Sequence, residues 1–188
     1  MNYNHTLKIE QIKPKPDLVL ITPCGLKAFV TYVKACKKLK IPYLYDPSQQ
    51  ITGLSNDEIF DGIHGAKIFI NNDYEYDMIK KRLKLTDTDI LRHTEILVIT
   101  QGKKGSLIKT KKETIQIKTV KPKKVLDPTG AGDAYRSGFI AGYVRGFPLE
   151  VCGQMGAAAG TYAIEEYGTQ KHTFSKGEFE KRYKENFR

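Results

Sequence analysis

A chain of 188 residues, 40% of them hydrophobic, has the material for one compact core and falls within the usual size of a single domain. Lysine and arginine exceed aspartate and glutamate by 31 to 21, and the net charge of +10 suits phosphate-bearing partners without choosing among ATP, RNA and anionic lipid. The three cysteines, Cys24, Cys36 and Cys152, lack CxxC spacing and an even count, which argues against a disulfide framework or a zinc site and fits a reducing cytoplasm. No window approaches the ~18 consecutive apolar residues of a membrane span, and residues 1–17 carry no apolar run of signal-peptide length, so a soluble protein without membrane partners is expected.

Short apolar runs bounded by turn residues recur at Leu18 to Ile21, Tyr43 to Tyr45, Lys67 to Ile70 and Ile96 to Ile99, and each predicts a strand. Between the first two, Leu26, Phe29, Val30, Val33, Cys36 and Leu39 fall three or four apart, which puts them on one helix face. Residues Ser55 to Ile63 and Tyr74 to Leu83 supply further helices, and right-handed crossovers then lay the strands side by side in a mostly parallel sheet. Beyond Ile99 the period changes: Ser106 to Lys109 and Thr114 to Lys118 alternate apolar and polar around Thr110 to Glu113, predicting an antiparallel edge hairpin. Ala134 to Arg145 and Leu149 to Glu166 are helical patterns rich in small residues, and Ser175 with Glu178 opens a last helix with a capping box. The expected fold is a three-layer α/β/α sandwich in one domain.

The lysines stand in scattered pairs, such as Lys37-Lys38 and Lys111-Lys112, as solvated faces do. No RRM, KH, HTH or zinc pattern accompanies them, and aromatic residues do not cluster with them, so nucleic acid is not an expected partner.

Chemistry concentrates in Asp127-Pro128-Thr129-Gly130-Ala131-Gly132-Asp133, just before a predicted helix. Backbone N–H groups at a helix start point outward and, with the helix dipole, bind anions; glycine lets a phosphate approach them. A carboxylate at Asp133 beside such an anion suits proton abstraction, although an aspartate there is also a good helix cap. A dinucleotide fingerprint would need glycine where Tyr135 stands, and no GxxxxGK[ST] loop occurs.

The segment DPTGAGDAYRSGFI, Asp127 to Ile140, resembles the C-terminal signature of the ribokinase-like (PfkB) family of carbohydrate and nucleoside kinases. Two shorter family elements precede it in the expected order: NxxE at Asn72 to Glu75, and TxGxxG at Thr100 to Gly105. More narrowly, DPSQQI at Asp46 to Ile51 and EYGTQKHTF at Glu166 to Phe174 resemble the bacterial adenosine-kinase-like branch.

The resemblance implies transfer of the γ-phosphate of ATP to a hydroxymethyl group of a nucleoside or sugar, with adenosine the preferred acceptor. It makes Asp133 the base and the amides of Gly130, Ala131, Gly132 and Asp133 the anion hole. It places Asn72 and Glu75 near Mg²⁺, although taken alone they read more simply as a helix N-cap and its first-turn acid. Thr100, Gly102 and Gly105 would lie beside the nucleotide, and Asp127, Thr129 and Gly168 would hold a monovalent cation such as K⁺. The likeness covers the C-terminal portion of the family. The family's N-terminal portion supplies early strands, an acceptor-binding motif and a small β lid, so weak or no turnover is expected from this polypeptide alone. The alternative expectation is a non-catalytic or split-protein nucleotide-binding half that requires a partner chain, the partner being a complementary N-terminal chain or a second copy in a homodimer.

Overall fold

The computed structural model describes residues 7–187; residues 1–6 of the amino-terminal stretch read above, and Arg188, lie outside it. Strands β1 (Val19–Ile21), β2 (Tyr43–Tyr45), β3 (Ile68–Asn72), β4 (Ile96–Thr100), β5 (Ser106–Lys109) and β6 (Thr114–Ile117) form one six-stranded sheet in sequence order. The first three are parallel, with Val19 opposite Tyr43 and Tyr45 opposite Phe69. Parallel neighbours need long crossovers, supplied by α1 (Leu26–Leu39), by α2 (Asn56–Ile63), and by α3 (Asp73–Leu83) with α4 (Asp87–His93). Only residues 110–113 join β5 to β6, which permits nothing but an antiparallel hairpin; there Thr110 N–H donates to the Glu113 carbonyl at 2.9 Å. Helices α5 (Ala131–Tyr143), α6 (Leu149–Ile164) and α7 (Lys176–Phe187) complete the α/β fold. This is the mostly parallel sheet with an edge hairpin, flanked by helices, that the sequence predicts.

By their internal packing, the described residues fall into two compact units: residues 7–99 with Lys109–Glu113, and Thr100–Ile108 with residues 114–187. In the first unit, Phe29 of α1, Tyr45 of β2 and Phe69 of β3 pack as tilted rings 5.3 and 5.9 Å apart, and all three are fully buried. Gly62 of α2 lies against the Tyr45 ring with no room for a Cβ. Reciprocal capping boxes begin α2 (Ser55 with Glu58), α3 (Asn72 with Glu75) and α4 (Thr86 with Asp89). The sequence reading leaves α4 unmarked, because a seven-residue helix with one fully buried side chain, Ile90, is too short to declare an apolar period.

The core of the second unit is the α5–α6 pair. Gly138 approaches the Met155 carbonyl and Gly156 the Tyr135 carbonyl so closely that a methyl group fits at neither, and Ala158, Ala159 and Ala163 are buried. That is the close helix contact the small residues predict. Buried Tyr135 shares a 2.7 Å hydrogen bond with Ser106 of β5, which satisfies both hydroxyls. Helix α7 is tied down by a buried ion pair, Arg182 to Glu165 at 2.9 Å, with the guanidinium 3.8 Å above the Tyr162 ring.

Candidate active site

In the second unit, Gly130 is the N-cap of α5 with φ +83°, a left-handed conformation that favours glycine, and a Cβ there would press on Thr169 at 3.1 Å. The Ala131 N–H turns back to the Pro128 carbonyl at 3.2 Å. No side chain among the described residues caps the helix start, and the amides of Gly132 and Asp133 lie in the first turn, where no intrahelical acceptor exists.

Gly132 differs from its neighbours. Its φ lies outside the left-handed region and a Cβ would meet nothing within 4 Å, so neither backbone nor packing calls for glycine. Glycine in a helix instead costs roughly 1 kcal/mol relative to alanine. Glycine at this position leaves the first-turn amides open to a group from outside.

Asp133 is exposed over 71% of its side chain, and one carboxylate oxygen receives an ion-pair hydrogen bond from Arg136, one helical turn on. Arg136 is largely buried and fixes the direction of that carboxylate. The sequence reading does not single out Arg136; its i+3 spacing from Asp133 is the signal that points to it.

Asp127 gathers the cation residues named from the sequence. Its Oδ1 accepts the Thr129 N–H and its Oδ2 the Gly168 N–H, each at 2.9 Å. The bond to Thr129 and those from the two amides hold this carboxyl below its ordinary range. The loop is rooted on α6, since the Ile164 carbonyl accepts the Leu126 N–H at 2.8 Å. Asp127, Thr129, Gly130 and Gly168 are thus brought together across 41 residues of sequence. An ionised oxygen ligand with unused lone pairs suits a hard cation.

The Thr100–Gly105 turn closes on itself: Gln101 N–H donates to Gly105 O at 2.8 Å and Gly105 N–H to Gly102 O at 3.0 Å. Gly105, with φ +89°, sits where a Cβ would collide with the Ile117 carbonyl, so its glycine is demanded by the hairpin. Among the described residues no hydrogen bond links this turn to the Asp127 loop.

In the first unit, Asn72 and Glu75 form a capping box on α3: Asn72 Oδ1 accepts Glu75 N–H at 2.8 Å, and Glu75 Oε2 accepts Asn72 N–H at 3.1 Å. The simple helix-cap reading is therefore realised in full. It does not exhaust Glu75, whose Oε1 lies 3.3 Å from the Ser48 hydroxyl, an oxygen it shares with Gln49 Oε1 at 2.9 Å, on a residue with φ +41°, unusual for serine. Mg²⁺ keeps most of its waters and needs few protein ligands besides the phosphates, so a carboxylate oriented on both oxygens suits an outer-shell role. Next to this motif, Asn71 is 3% exposed, yet neither its Oδ1 nor its Nδ2 has a partner among the described residues. Sequence reasoning missed it; an asparagine ending the run IFIN is its only mark.

The profile of the pfkB family carbohydrate kinase matches residues 4–175. The chain is 38% identical to a nucleoside kinase of Methanocaldococcus jannaschii over 126 residues, 67% of this chain and 42% of that protein. It is 35% identical to a nucleoside kinase of Methanothermobacter thermautotrophicus over 141 residues, 74% of this chain and 45% of that one. It superposes on the Burkholderia thailandensis nucleoside kinase in complex with inosine with a TM-score of 0.92 at 26% identity, over 95% of this chain and 58% of that structure. The chain spans about half the length of the curated relatives it matches.

Proposed function

This chain belongs to the pfkB family of carbohydrate kinases, and on that premise we propose that it carries the phosphoryl-transfer centre of an ATP-dependent nucleoside kinase. The observation that carries the reading is Gly132, a glycine in the first turn of an uncapped helix that neither packing nor backbone conformation requires. The amides of Gly132 and Asp133 receive phosphate oxygens there and stabilise the charge that develops on the transferred group. Asp133 takes the proton from the acceptor hydroxyl as its oxygen attacks the γ-phosphorus and the bond from that phosphorus to the bridging oxygen breaks to leave ADP, and Arg136 holds the carboxylate in place. When bound, Mg²⁺ would supply neutralisation of phosphate charge, and Asn72 and Glu75 of the first unit are the residues that would hold it through water; Asp127, Thr129 and Gly168 of the second unit would hold a monovalent cation. Thr100 and Gly102 line the nucleotide. A nucleoside is the favoured acceptor because the two relatives described above are nucleoside kinases, and adenosine is the first to test.

The test is radiometric transfer from γ-labelled ATP to adenosine, inosine and ribose, with nucleotide affinity measured in parallel by calorimetry. Asp133→Asn is expected to lower kcat by about 10²- to 10⁴-fold with ATP affinity little changed. Equal and measurable turnover by the variant and the unaltered chain would remove Asp133 from the chemistry. Failure of both to bind ATP would remove the nucleotide site itself.

A further inference from the structure

In the first unit, two helices end against each other. His64 is the C-cap of α2, and His93 is the last residue of α4. Their Nδ1 atoms stand 3.0 Å apart, with ring centroids 5.1 Å apart. His64 is exposed and His93 half-buried, so both rings are open to solvent.

The pair is held from behind. The His64 carbonyl accepts the Tyr43 hydroxyl at 3.0 Å, and the His93 carbonyl accepts the Gly65 N–H at 2.8 Å. Phe60 presents its ring edge-on to His93 at 4.8 Å and stacks near His64 at 6.1 Å. Two rigid backbones and a shared aromatic neighbour leave little rotamer freedom to lose on binding.

We propose that His64 and His93 chelate a divalent transition-metal ion of the Cu²⁺ and Ni²⁺ class. An ion at ~2.05 Å from each imidazole nitrogen would see donors 3.0 Å apart at roughly 95°, the cis angle of a tetragonal or octahedral site, narrower than the ~109° of tetrahedral zinc. Water completes the coordination. Both helices direct their C-terminal ends, which carry partial negative charge, toward the pair, and this favours a cation. Three of the neighbouring cationic side chains are already matched: Lys67 with Glu95, Arg92 with Asp89, and Lys37 with Asp61. Without metal, one ring donates its Nδ1–H to the other. On binding, that ring takes its Nε2–H tautomer through solvent exchange, so that both Nδ1 lone pairs face the ion. The site is independent of the kinase reading.

The experiment is calorimetric titration of the chain with CuCl₂, NiCl₂, ZnCl₂ and MgCl₂, alongside His64→Ala and His93→Ala, with EPR of the Cu²⁺ form. The expected result is one ion per chain, in the order Cu²⁺, Ni²⁺, Zn²⁺ with Mg²⁺ not bound, at least a tenfold loss in each variant, and hyperfine coupling to two imidazole nitrogens only in the unaltered chain. His64→Gln and His93→Gln, checked by circular dichroism, serve where an alanine variant fails to fold, and they are expected to lose binding equally. Binding unchanged in both single variants would assign the ion to other ligands and overturn the proposal, as would no Cu²⁺ binding by the unaltered chain.

Discussion

At Gly132 helix stability and ligand access pull in opposite directions. Because a Cβ there has open space, Gly132→Ala is expected to raise stability by up to about 1 kcal/mol, the ordinary helix preference for alanine over glycine. The same methyl group stands between the first-turn amides and a phosphate, so affinity for a nonhydrolysable ATP analogue is expected to fall at least tenfold. Thermal melts and calorimetry on one preparation check both halves. A variant that gains neither stability nor loses affinity would leave the glycine without a physical account. Gly130 and Gly105 give no such contrast: substitution at either strains the backbone at once, so loss of binding there would say nothing about ligands.

Among the elements, α4 shows what side-chain bonds add to a short helix. Asp87 opens it and accepts from the Tyr76 hydroxyl at 2.9 Å, from Lys80 at 2.8 Å and from Lys109 at 2.6 Å. Partial burial pushes its carboxyl up, but the bonds from Lys109, Lys80 and Tyr76 outweigh that and hold it well below the usual carboxylate range. A carboxyl lowered on folding contributes stability that is full above its unfolded value, near ~3.9, and is lost as pH falls toward the folded value. Asp87→Asn is therefore expected to cost about 1–3 kcal/mol at pH 7, and the gap between the two melting curves is expected to narrow below about pH 4. A gap constant from pH 7 to pH 3 would mean that the lost bonds do not depend on ionisation. The same element marks where the sequence ceased to be legible. Strands with four-residue apolar runs, and α1 with six apolar positions on one face, declare themselves because burial imposes a period. Asp87 and Ser48 act through contacts with distant segments, Arg136 through one local ion pair, and Asn71 is buried without a side-chain hydrogen-bond partner among the described residues; none of these leaves a period. The glycine loop was legible for the opposite reason: its chemistry needs contiguous residue types at a helix start. The NxxE pair was ambiguous because a capping box and an outer-shell metal site call for the same two side chains.

For the molecule as a whole, the sheet has two free edges, β1 and β6. β1 presents Leu20 with 43% of its surface exposed, on a strand whose outer hydrogen-bonding groups have no sheet partner among the described residues. Such an edge templates pairing with another chain. Association that grows with concentration is expected in sedimentation velocity, and Leu20→Lys should shift the distribution toward monomer; an unchanged distribution would place the contact elsewhere. A different whole-molecule property follows from the end of α6. Glu165 receives Arg182 of α7 on one oxygen and the Lys123 N–H on the other, at 2.6 Å, while its neighbour Ile164 receives Leu126. Two adjacent residues are thus the knot joining the carboxyl-terminal helix, the end of α6 and the root of the glycine loop. In mechanical terms α7 is a lever rather than a tail. Tension applied at the carboxyl terminus, by a tether or a surface attachment, would be delivered within a few bonds to the base of Asp127, so the place where the chain is pulled decides whether its loop is disturbed.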